Sequence, residues 1–161
     1  MTEAEKRTFR VCFTGHRPEK LTRPESEVIA ELEQAIKQAM ADGYRVFVSG
    51  MAPGVDIWAA EIVIRLRNEG ADIKLISASP FEGFEKRWPA WEHRYNYIMD
   101  NTDLKLFICK GNVRGVHQIR NEWMVNHSAR VIAVFNGERS GTKNTIDYAN
   151  RVGVPVIYIR G

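Results

Sequence analysis

The chain has 161 residues and a net charge of +3, and 44% of its residues are hydrophobic and 27% charged. This is the size of one domain and the composition of a globular protein, which excludes a disordered chain, and no apolar run approaches the roughly 18 residues of a membrane-spanning helix. The modest net charge by itself gives no indication of nucleic-acid binding.

Strand-like and helix-like segments alternate along the chain. Runs rich in β-branched and aromatic residues predict six strands, at Phe9–Thr14, Tyr44–Ser49, Asp72–Ala78, Leu104–Cys109, Arg130–Phe135 and Val154–Ile159. Apolar stripes of helical period predict five helices between them. The first follows the capping-box pair Thr22 and Glu25 and runs to Met40, and the others span about 55–68, 90–100, 116–128 and 142–151.

This order of elements predicts an α/β fold. We expect a Rossmann-like, doubly wound, mostly parallel sheet of about six strands with helices on both faces. The strands are almost continuously apolar, as strands buried on both faces require. We expect a single domain over residues 1–161, with residues 1–8 as a flexible N-terminus. Pro155 predicts that the last strand lies at an edge of the sheet.

The polar N-terminus and the cysteines both indicate a compartment. Residues 1–10 are polar and of mixed charge, without the apolar stretch of a secretory signal. Cys12 and Cys109 lie inside apolar runs, which predicts buried thiols in a reducing environment. We therefore expect a cytoplasmic protein without a membrane partner.

The loops that follow the strands carry small, hydroxyl and charged residues. In open α/β sheets, ligands bind beyond the carboxyl ends of the strands. The candidate ligand-binding residues are Thr14, Gly15, His16, Arg17, Ser49, Gly50, Met51, Gly54, Asp56, Ser79, Pro80, Phe81, Arg139, Ser140, Gly141, Thr142 and Lys143. Gly54 and Gly141 open helices, and helix N-termini attract anions, so this rim predicts a phosphate site.

Other kinds of site lack their sequence patterns. Neither a P-loop string nor a Gly-x-Gly-x-x-Gly fingerprint occurs, which argues against an ATPase and an ordinary dehydrogenase. His93, His117 and His127 lie on predicted helices without metal-ligand spacing, so we expect no metal site and no cofactor. The aromatic loop after the third strand predicts a lid, in which Phe84 or Trp88 stacks on a base.

Three strings of the sequence occur together: VCFTGHRP at 11–18, SGMAPGVD at 49–56 and GT at 141–142. In these strings the chain resembles the SLOG superfamily, in its DUF1273 or YpsA-like branch. SLOG also contains the LOG phosphoribohydrolases and the Rossmann-like domain of the DNA-processing protein DprA. The resemblance implies a nucleotide pocket whose phosphates are held by Ser49, Gly50, Gly54, Asp56, Gly141 and Thr142. It also implies a nucleotide, ADP-ribose-like or cyclic nucleotide ligand, a stress or phage-defence setting, and a homo-oligomer.

The resemblance leaves enzymatic activity open. LOG hydrolases place an arginine before a helical methionine and a glutamate directly after Gly-Thr. Arg120 matches the first element, but Lys143 stands where the glutamate is expected. A carboxylate there would stabilise the oxocarbenium-like transition state of N-glycosidic hydrolysis. No catalytic residue is therefore assigned, and the weak candidates are Arg120, Glu122 and Asp56.

Three functions follow from these observations. We favour binding of a nucleotide-derived ligand, for sensing or sequestration, without turnover. The first alternative is a LOG-like phosphoribohydrolase that cleaves nucleoside 5′-monophosphates. The second is a DNA-processing or partner-binding module. Because the net charge is modest and no basic arm is present, we do not expect nucleic acid as a partner.

Overall fold

One six-stranded parallel sheet organises the protein. The structure, a computed structural model, describes residues 1–161. The strands are β1 (Arg10–Gly15), β2 (Val46–Ser49), β3 (Lys74–Ser79), β4 (Leu104–Phe107), β5 (Arg130–Phe135) and β6 (Val156–Arg160). Their order is β4-β3-β2-β1-β5-β6, and every neighbouring pair is parallel. The predicted Rossmann-like, doubly wound sheet is confirmed, and β6 lies at an edge, as Pro155 predicted.

Helices cover both faces of the sheet. They are α1 (Glu3–Arg7), α2 (Glu25–Ala41), α3 (Val55–Asn68), α4 (Glu92–Asn101), α5 (Val116–Asn126) and α6 (Gly141–Val152). A core of 28 buried residues lies on the α2, α3 and α4 side, and one of 11 lies on the α5 and α6 side. Neighbouring strand residues alternate between the two cores: Phe13 belongs to the larger and Cys12 to the smaller. Since both faces are buried, the strands must be apolar at every position.

The N-terminal segments differ from the sequence expectation in two places. Residues 1–8, expected as a flexible N-terminus, contain α1, whose first turn is capped by Thr2. The capping-box prediction for α2 is wrong. Its N-cap is Pro24, whose side chain has no hydrogen-bonding group. Thr22 instead donates its hydroxyl to the Gly161 carbonyl at 2.6 Å. Thr22 therefore ties the chain to the end of β6 rather than to a helix.

The strand order places a crevice between β1 and β5. From β1 the chain adds β2, β3 and β4 on one side, and then crosses to add β5 and β6 on the other. At such a switch point the connections leave in opposite directions, which opens a space beyond the strand ends. None of the helices combines the length and the apolar character needed to cross a bilayer.

Candidate functional site

A cleft of about 320 Å³ opens at this switch point. It lies beyond the carboxyl ends of β1 and β5, between the loops that lead into α3 and α6 and the helix α5. The lining residues are Phe13, Thr14, Gly15, His16, Arg17, Glu19, Lys20, Ala52, Pro53, Asp56, Phe84, Trp88, His117, Arg120, Asn121, Ser140, Gly141 and Thr142. Most of these side chains are polar, so the cleft suits a polar ligand.

The loop between β2 and α3 forms the floor of the cleft. Ser49 donates its hydroxyl to the Asp56 carbonyl at 2.9 Å and accepts the Met51 amide at 3.2 Å. The Ala52 amide donates to Asp56 Oδ2 at 3.2 Å. Met51 has a φ of +67°, a left-handed conformation that is uncommon for a residue with a side chain. These bonds hold the loop in a fixed shape, with the Met51 side chain buried beneath it.

Two buried charges flank Gly50 on this floor. Asp56 is 6% exposed and Arg120 is 4% exposed. A Cβ atom built on Gly50 would lie 2.9 Å from Asp56 Oδ2 and 2.9 Å from Arg120 Cζ. Arg120 donates Nη1 to the Gly50 carbonyl and Nε to Asn121 Oδ1, the latter at 2.8 Å. Only glycine therefore leaves the carboxylate and the guanidinium in place on the two sides of this backbone position.

Burial raises the pKa of Asp56 to about 6, and the nearby Arg120 guanidinium opposes this rise. The charged form loses hydration when it is buried, and an arginine that makes no direct ion pair with it compensates only in part. Perturbed carboxylates of this kind concentrate at functional sites. Asp56 is thus a carboxylate that changes charge just below neutral pH at the base of the cleft.

His16 joins the ends of β1 and β5. Its Nε2 accepts the Asn136 amide at 3.0 Å, and its ring stacks on Phe135 with the centroids 5.8 Å apart. Burial lowers the pKa of His16, while Glu138 acts in the opposite direction. An imidazole that accepts at Nε2 is neutral and carries its hydrogen at Nδ1. His16 therefore offers a neutral donor at the switch point.

The first turn of α6 supplies amide groups at one end of the cleft. Ser140 is the N-cap and accepts the Lys143 amide at 3.1 Å, while Gly141 and Thr142 follow it. Thr142 is 5% exposed, yet it lines the cleft. The first amides of a helix have no partner within the helix, and the helix dipole makes this end attractive to anions. This turn therefore brings the positive end of a helix dipole to the cleft.

An aromatic and cationic wall forms another side of the cleft. The Arg17 guanidinium lies 4.3 Å from the ring centroid of Trp88. Phe84 contacts Trp88 and His117, with ring centroids 6.4 and 5.7 Å apart. Phe84 is itself buried, and Phe81 packs edge-on against it. The predicted lid segment is therefore packed against the protein and forms a wall of the cleft.

Comparison with known proteins identifies the family. The chain matches the model of the YspA SLOG family (YpsA) over residues 11–152. It belongs to this family. The SPbeta prophage-derived protein YoqJ of Bacillus subtilis (strain 168) is 32% identical to this SLOG chain over 138 residues, covering 78% of the chain and 79% of YoqJ. The resemblance inferred from the sequence motifs is thus confirmed.

Two solved structures of DNA processing protein A share the fold of this SLOG chain. The Helicobacter pylori protein, described for its single-stranded DNA binding mode, has a TM-score of 0.70 and 22% identity, over 99% of this chain and 68% of that one. The Streptococcus pneumoniae protein has a TM-score of 0.67 and 21% identity, over 96% of this chain and 51% of that one.

The expectation that nucleic acid is not a partner is contradicted by this likeness, since a neighbour of the SLOG chain binds single-stranded DNA. The expectation rested on net charge, which averages over the whole surface. Many outer cations are neutralised locally, as Arg65 is by Glu33 and Arg130 is by Asp42. Arg17 and Lys20 line the cleft, by contrast, and belong to none of the ion pairs of the structure. Local charge, rather than net charge, is the relevant property.

The cleft brings together part of the predicted set. Its lining includes Thr14, Gly15, His16, Arg17, Asp56, Ser140, Gly141 and Thr142, the lid candidates Phe84 and Trp88, and the catalytic candidate Arg120. The remaining predicted residues do not line it: Ser49, Gly50, Met51, Gly54, Ser79, Pro80, Phe81, Arg139, Lys143 and Glu122.

Most of the predicted residues that do not line the cleft have another structural role. Ser49, Gly50, Met51 and Gly54 shape the floor loop from beneath. Elsewhere, Ser79 accepts the Tyr95 hydroxyl at 2.8 Å, Lys143 pairs with Asp147 at 2.8 Å, and Glu122 accepts Gln118 Nε2 at 3.0 Å. Arg139 is exposed in the loop before α6.

Sequence reasoning missed His117 and Asn121, which line the cleft from α5. His117 lies three residues before Arg120 on that helix, and Asn121 directly follows Arg120 and lies four residues after His117. A helix presents such neighbours together, so Arg120 was the signal that could have identified them. The strand preceding α5 is an edge strand, and its loop does not reach the cleft. Only the helix itself does.

Proposed function

We propose that the cleft binds a nucleotide-derived ligand, for sensing or sequestration rather than for turnover. The observation that carries this proposal is a set of polar side chains that line the cleft although they are nearly buried. Thr14, Asp56, Asn121 and Thr142 are between 5% and 9% exposed. Buried polar groups are normally satisfied by hydrogen bonds, and those that face a cleft are available to a ligand.

The start of α6 suits a phosphate. The amides of Gly141 and Thr142 are the first of a 12-residue helix, and the Thr142 hydroxyl stands beside them. Backbone amides and a hydroxyl match the acceptor oxygens of a phosphate, and the helix dipole favours its negative charge. Lys20, which also lines the cleft, adds a cation at its mouth.

The floor suits a ribose. Asp56 accepts a hydrogen bond from Ala52 at one carboxylate oxygen, Oδ2. We expect its other oxygen, and the Asn121 amide nitrogen that the Arg120 contact leaves free, to bond sugar hydroxyls, much as acidic residues do in dinucleotide sites. Ala52 and Trp88, which are half-buried, add apolar surface for a base. This combination of donors, acceptors and apolar surface is what a nucleotide requires.

Binding is favoured over N-glycosidic hydrolysis by the residue after Gly141 and Thr142. Lys143 stands there and pairs with Asp147 outside the cleft. Asp56 is the buried carboxylate that remains, and it is held by the floor loop. In a hydrolase, a carboxylate must face the sugar carbon to stabilise positive charge. Release of free base and ribose 5-phosphate from a nucleoside monophosphate would overturn the proposal of binding without turnover.

Binding of single-stranded DNA is the second candidate. It is supported by the fold shared with the Helicobacter pylori protein and by Arg17 and Lys20 at the mouth of the cleft. A strand would place one of its nucleotide units in the same cleft. Its affinity would fall steeply with salt, because each neutralised phosphate releases counterions. A free nucleotide with one or two charges would show a much weaker salt dependence.

Thr142→Val should weaken the binding of phosphate-bearing ligands about ten-fold, because a hydrogen bond to a charged group is worth roughly 1.5–3 kcal/mol. The measurement is calorimetric titration with nucleoside 5′-monophosphates and ADP-ribose, and fluorescence anisotropy with a labelled single-stranded oligonucleotide at several salt concentrations. Each series is repeated with the variant.

Thr145→Val is the matched control for this experiment. It makes the same change on the same helix, but Thr145 donates to the Gly141 carbonyl at 2.9 Å rather than lining the cleft. We expect its affinity to stay within about two-fold of the wild type. Equal losses in both variants would argue against a phosphate at α6. The absence of binding by every ligand class would contradict the proposed function.

A further inference from the structure

We propose that Arg17, Arg87 and His117 form a second anion subsite, so that the ligand is a nucleoside unit carrying a phosphate at each end. This inference rests on the proposed function and specifies its ligand. One phosphate lies at the start of α6, and the other lies at the aromatic wall. The shared chemistry is that of a nucleoside 3′,5′-bisphosphate, either free or as an internal unit of a single strand.

Two arginine side chains and an imidazole lie around one short turn. The 3₁₀ turn Phe84–Arg87 ends with Arg87, and Trp88 follows it directly. Arg17 reaches this turn from the loop after β1 and lies 4.3 Å from the Trp88 ring centroid. His117 reaches it from α5, with its ring centroid 5.7 Å from that of Phe84. The turn therefore gathers positive groups from three separate parts of the chain.

These cations are distinguished by their lack of acidic partners. On the outer surface, Arg94 is bound by Glu61 at 2.9 Å, and Arg67 is bound by Asp103 at 2.7 Å. Arg17 and Arg87 have no carboxylate within 4.0 Å, unlike the arginines in the ion pairs of the structure. Arg94 is thus already neutralised. Arg17 lies against the Trp88 ring and Arg87 directly precedes Trp88, so two unpaired cations flank this residue, and an anion there would relieve their repulsion.

The environment of His117 supports the same subsite. Its pKa is lowered by burial first, and then by the positive charges of Arg120, Arg87 and Arg17. These groups come from α5 itself, from the turn and from the loop after β1, and no carboxylate is among them. Glu85, the acidic residue of the turn, instead contributes to the raised pKa of Tyr95. The negative charge of a bound phosphate would raise the pKa of His117, so the protein would take up a proton at this imidazole when the ligand binds.

The size of the cleft limits the ligand. Its volume of about 320 Å³ lies near the lower end of the roughly 300–1,000 Å³ range of small-molecule sites. That is room for one nucleoside unit between the two anion-binding ends, rather than for a whole dinucleotide. Two phosphates joined through one ribose satisfy both ends within this volume.

The test compares the 5′-monophosphates of adenosine, guanosine, cytidine and uridine with the corresponding 3′,5′-bisphosphates by calorimetric titration. The wild type should bind the bisphosphate of its preferred base about ten-fold more tightly than the monophosphate. Arg87→Ala should reduce this ratio to about three-fold or less. Arg151→Ala, which removes an exposed arginine from the last turn of α6, is the charge-matched control and should retain the ratio.

The pH dependence gives a second readout. From pH 8 to pH 6 the ratio should increase in the wild type relative to His117→Gln, because protonated His117 binds the second phosphate more tightly, whereas protonation of the phosphates themselves, whose second pKa is about 6, affects both proteins alike. Equal affinities of the wild type for both ligands would overturn the second subsite and leave the proposed function standing. Failure of both ligands to bind would overturn the proposed function itself.

The source of the ligand is distinguished by a single-stranded oligonucleotide. If Arg87→Ala weakens the oligonucleotide and the free bisphosphate alike, the unit in the cleft is part of a strand. If only the free bisphosphate binds, the ligand is a small molecule. If the oligonucleotide binds and Arg87→Ala has no effect on it or on the bisphosphate, the subsite does not exist.

Discussion

Asp56→Asn should raise the free energy of unfolding at pH 8 by about 3 kcal/mol. The pKa of Asp56 is about 6 in the folded protein, and it is roughly 3.9 in an unfolded chain. Above both values the carboxylate is charged in both states, and the folded state bears the cost of burying it. The difference between the two pKa values corresponds to about 3 kcal/mol. Asparagine keeps the size of the side chain and removes the charge.

The sign of the effect fixes its pH dependence. As the pH falls through about 6, the folded wild type binds a proton at Asp56 before the unfolded chain does, so the wild type gains stability relative to the variant. The difference should disappear near pH 4. Urea unfolding of both proteins from pH 4 to pH 8 measures it. Asp147→Asn, at an exposed position paired with Lys143, should change stability by less than about 0.5 kcal/mol. A pH-independent difference for Asp56→Asn would contradict the raised pKa.

Gly50→Ala should lower the affinity for the ligand at least about a hundred-fold while the protein remains folded. The new Cβ atom would lie 2.9 Å from both Asp56 Oδ2 and Arg120 Cζ. Atoms this close must move apart, and the movable groups are the two side chains that shape the floor of the cleft. Misplacing binding groups by about 1 Å is enough for losses of this size.

The control is a glycine at which an added Cβ atom has no close neighbour. A Cβ on Gly111 has no atom within 4 Å, and Gly111 does not line the cleft, so Gly111→Ala is the matched control. Titration with the tightest nucleotide of the monophosphate and bisphosphate series measures both variants, and circular dichroism checks the fold. Wild-type affinity in Gly50→Ala would show that the arrangement of Asp56 and Arg120 does not determine binding.

The fold was predictable because its strands are buried on both faces. Runs such as Val131 to Val134 are apolar at every position, and this pattern is typical of parallel strands between two helical layers. The strand order was not predictable, because nothing in the local sequence states which strand pairs with β1. The site depends on that order: β5 brings Ser140 and Thr142 to the loop after β1 only because it pairs there.

The candidate site was predictable where it follows strands and not where it lies on a helix face. Thr14 to Arg17 and Ser140 to Thr142 were identified by their position after strands, and they line the cleft. Met51 follows a strand too, but its positive φ turns the side chain into the core. His117 and Asn121 reach the cleft through the position of α5, which is a tertiary property.

The local charge of the cleft was the property that could be predicted least well from the sequence. A sum over the chain gives +3 whether the cations are paired or not. The structure separates arginines held by acidic partners, such as Arg94, from those at the cleft, such as Arg17. Recognition of an anion depends on the second group, and pairing of this kind can be read only from coordinates.

The most direct test of nucleotide binding in this cleft is an NMR titration of the ¹⁵N-labelled protein with the nucleoside monophosphates, the bisphosphates and a single-stranded oligonucleotide. We predict that one of these ligands shifts the amide resonances of residues 14–17, 50–56, 117–121 and 140–143. The resonances of residues at the amino ends of the strands, such as Lys74 and Arg45, should not shift. If no ligand shifts any resonance, or if the shifts are confined to the amino ends of the strands, the assignment of this cleft as the binding site is contradicted.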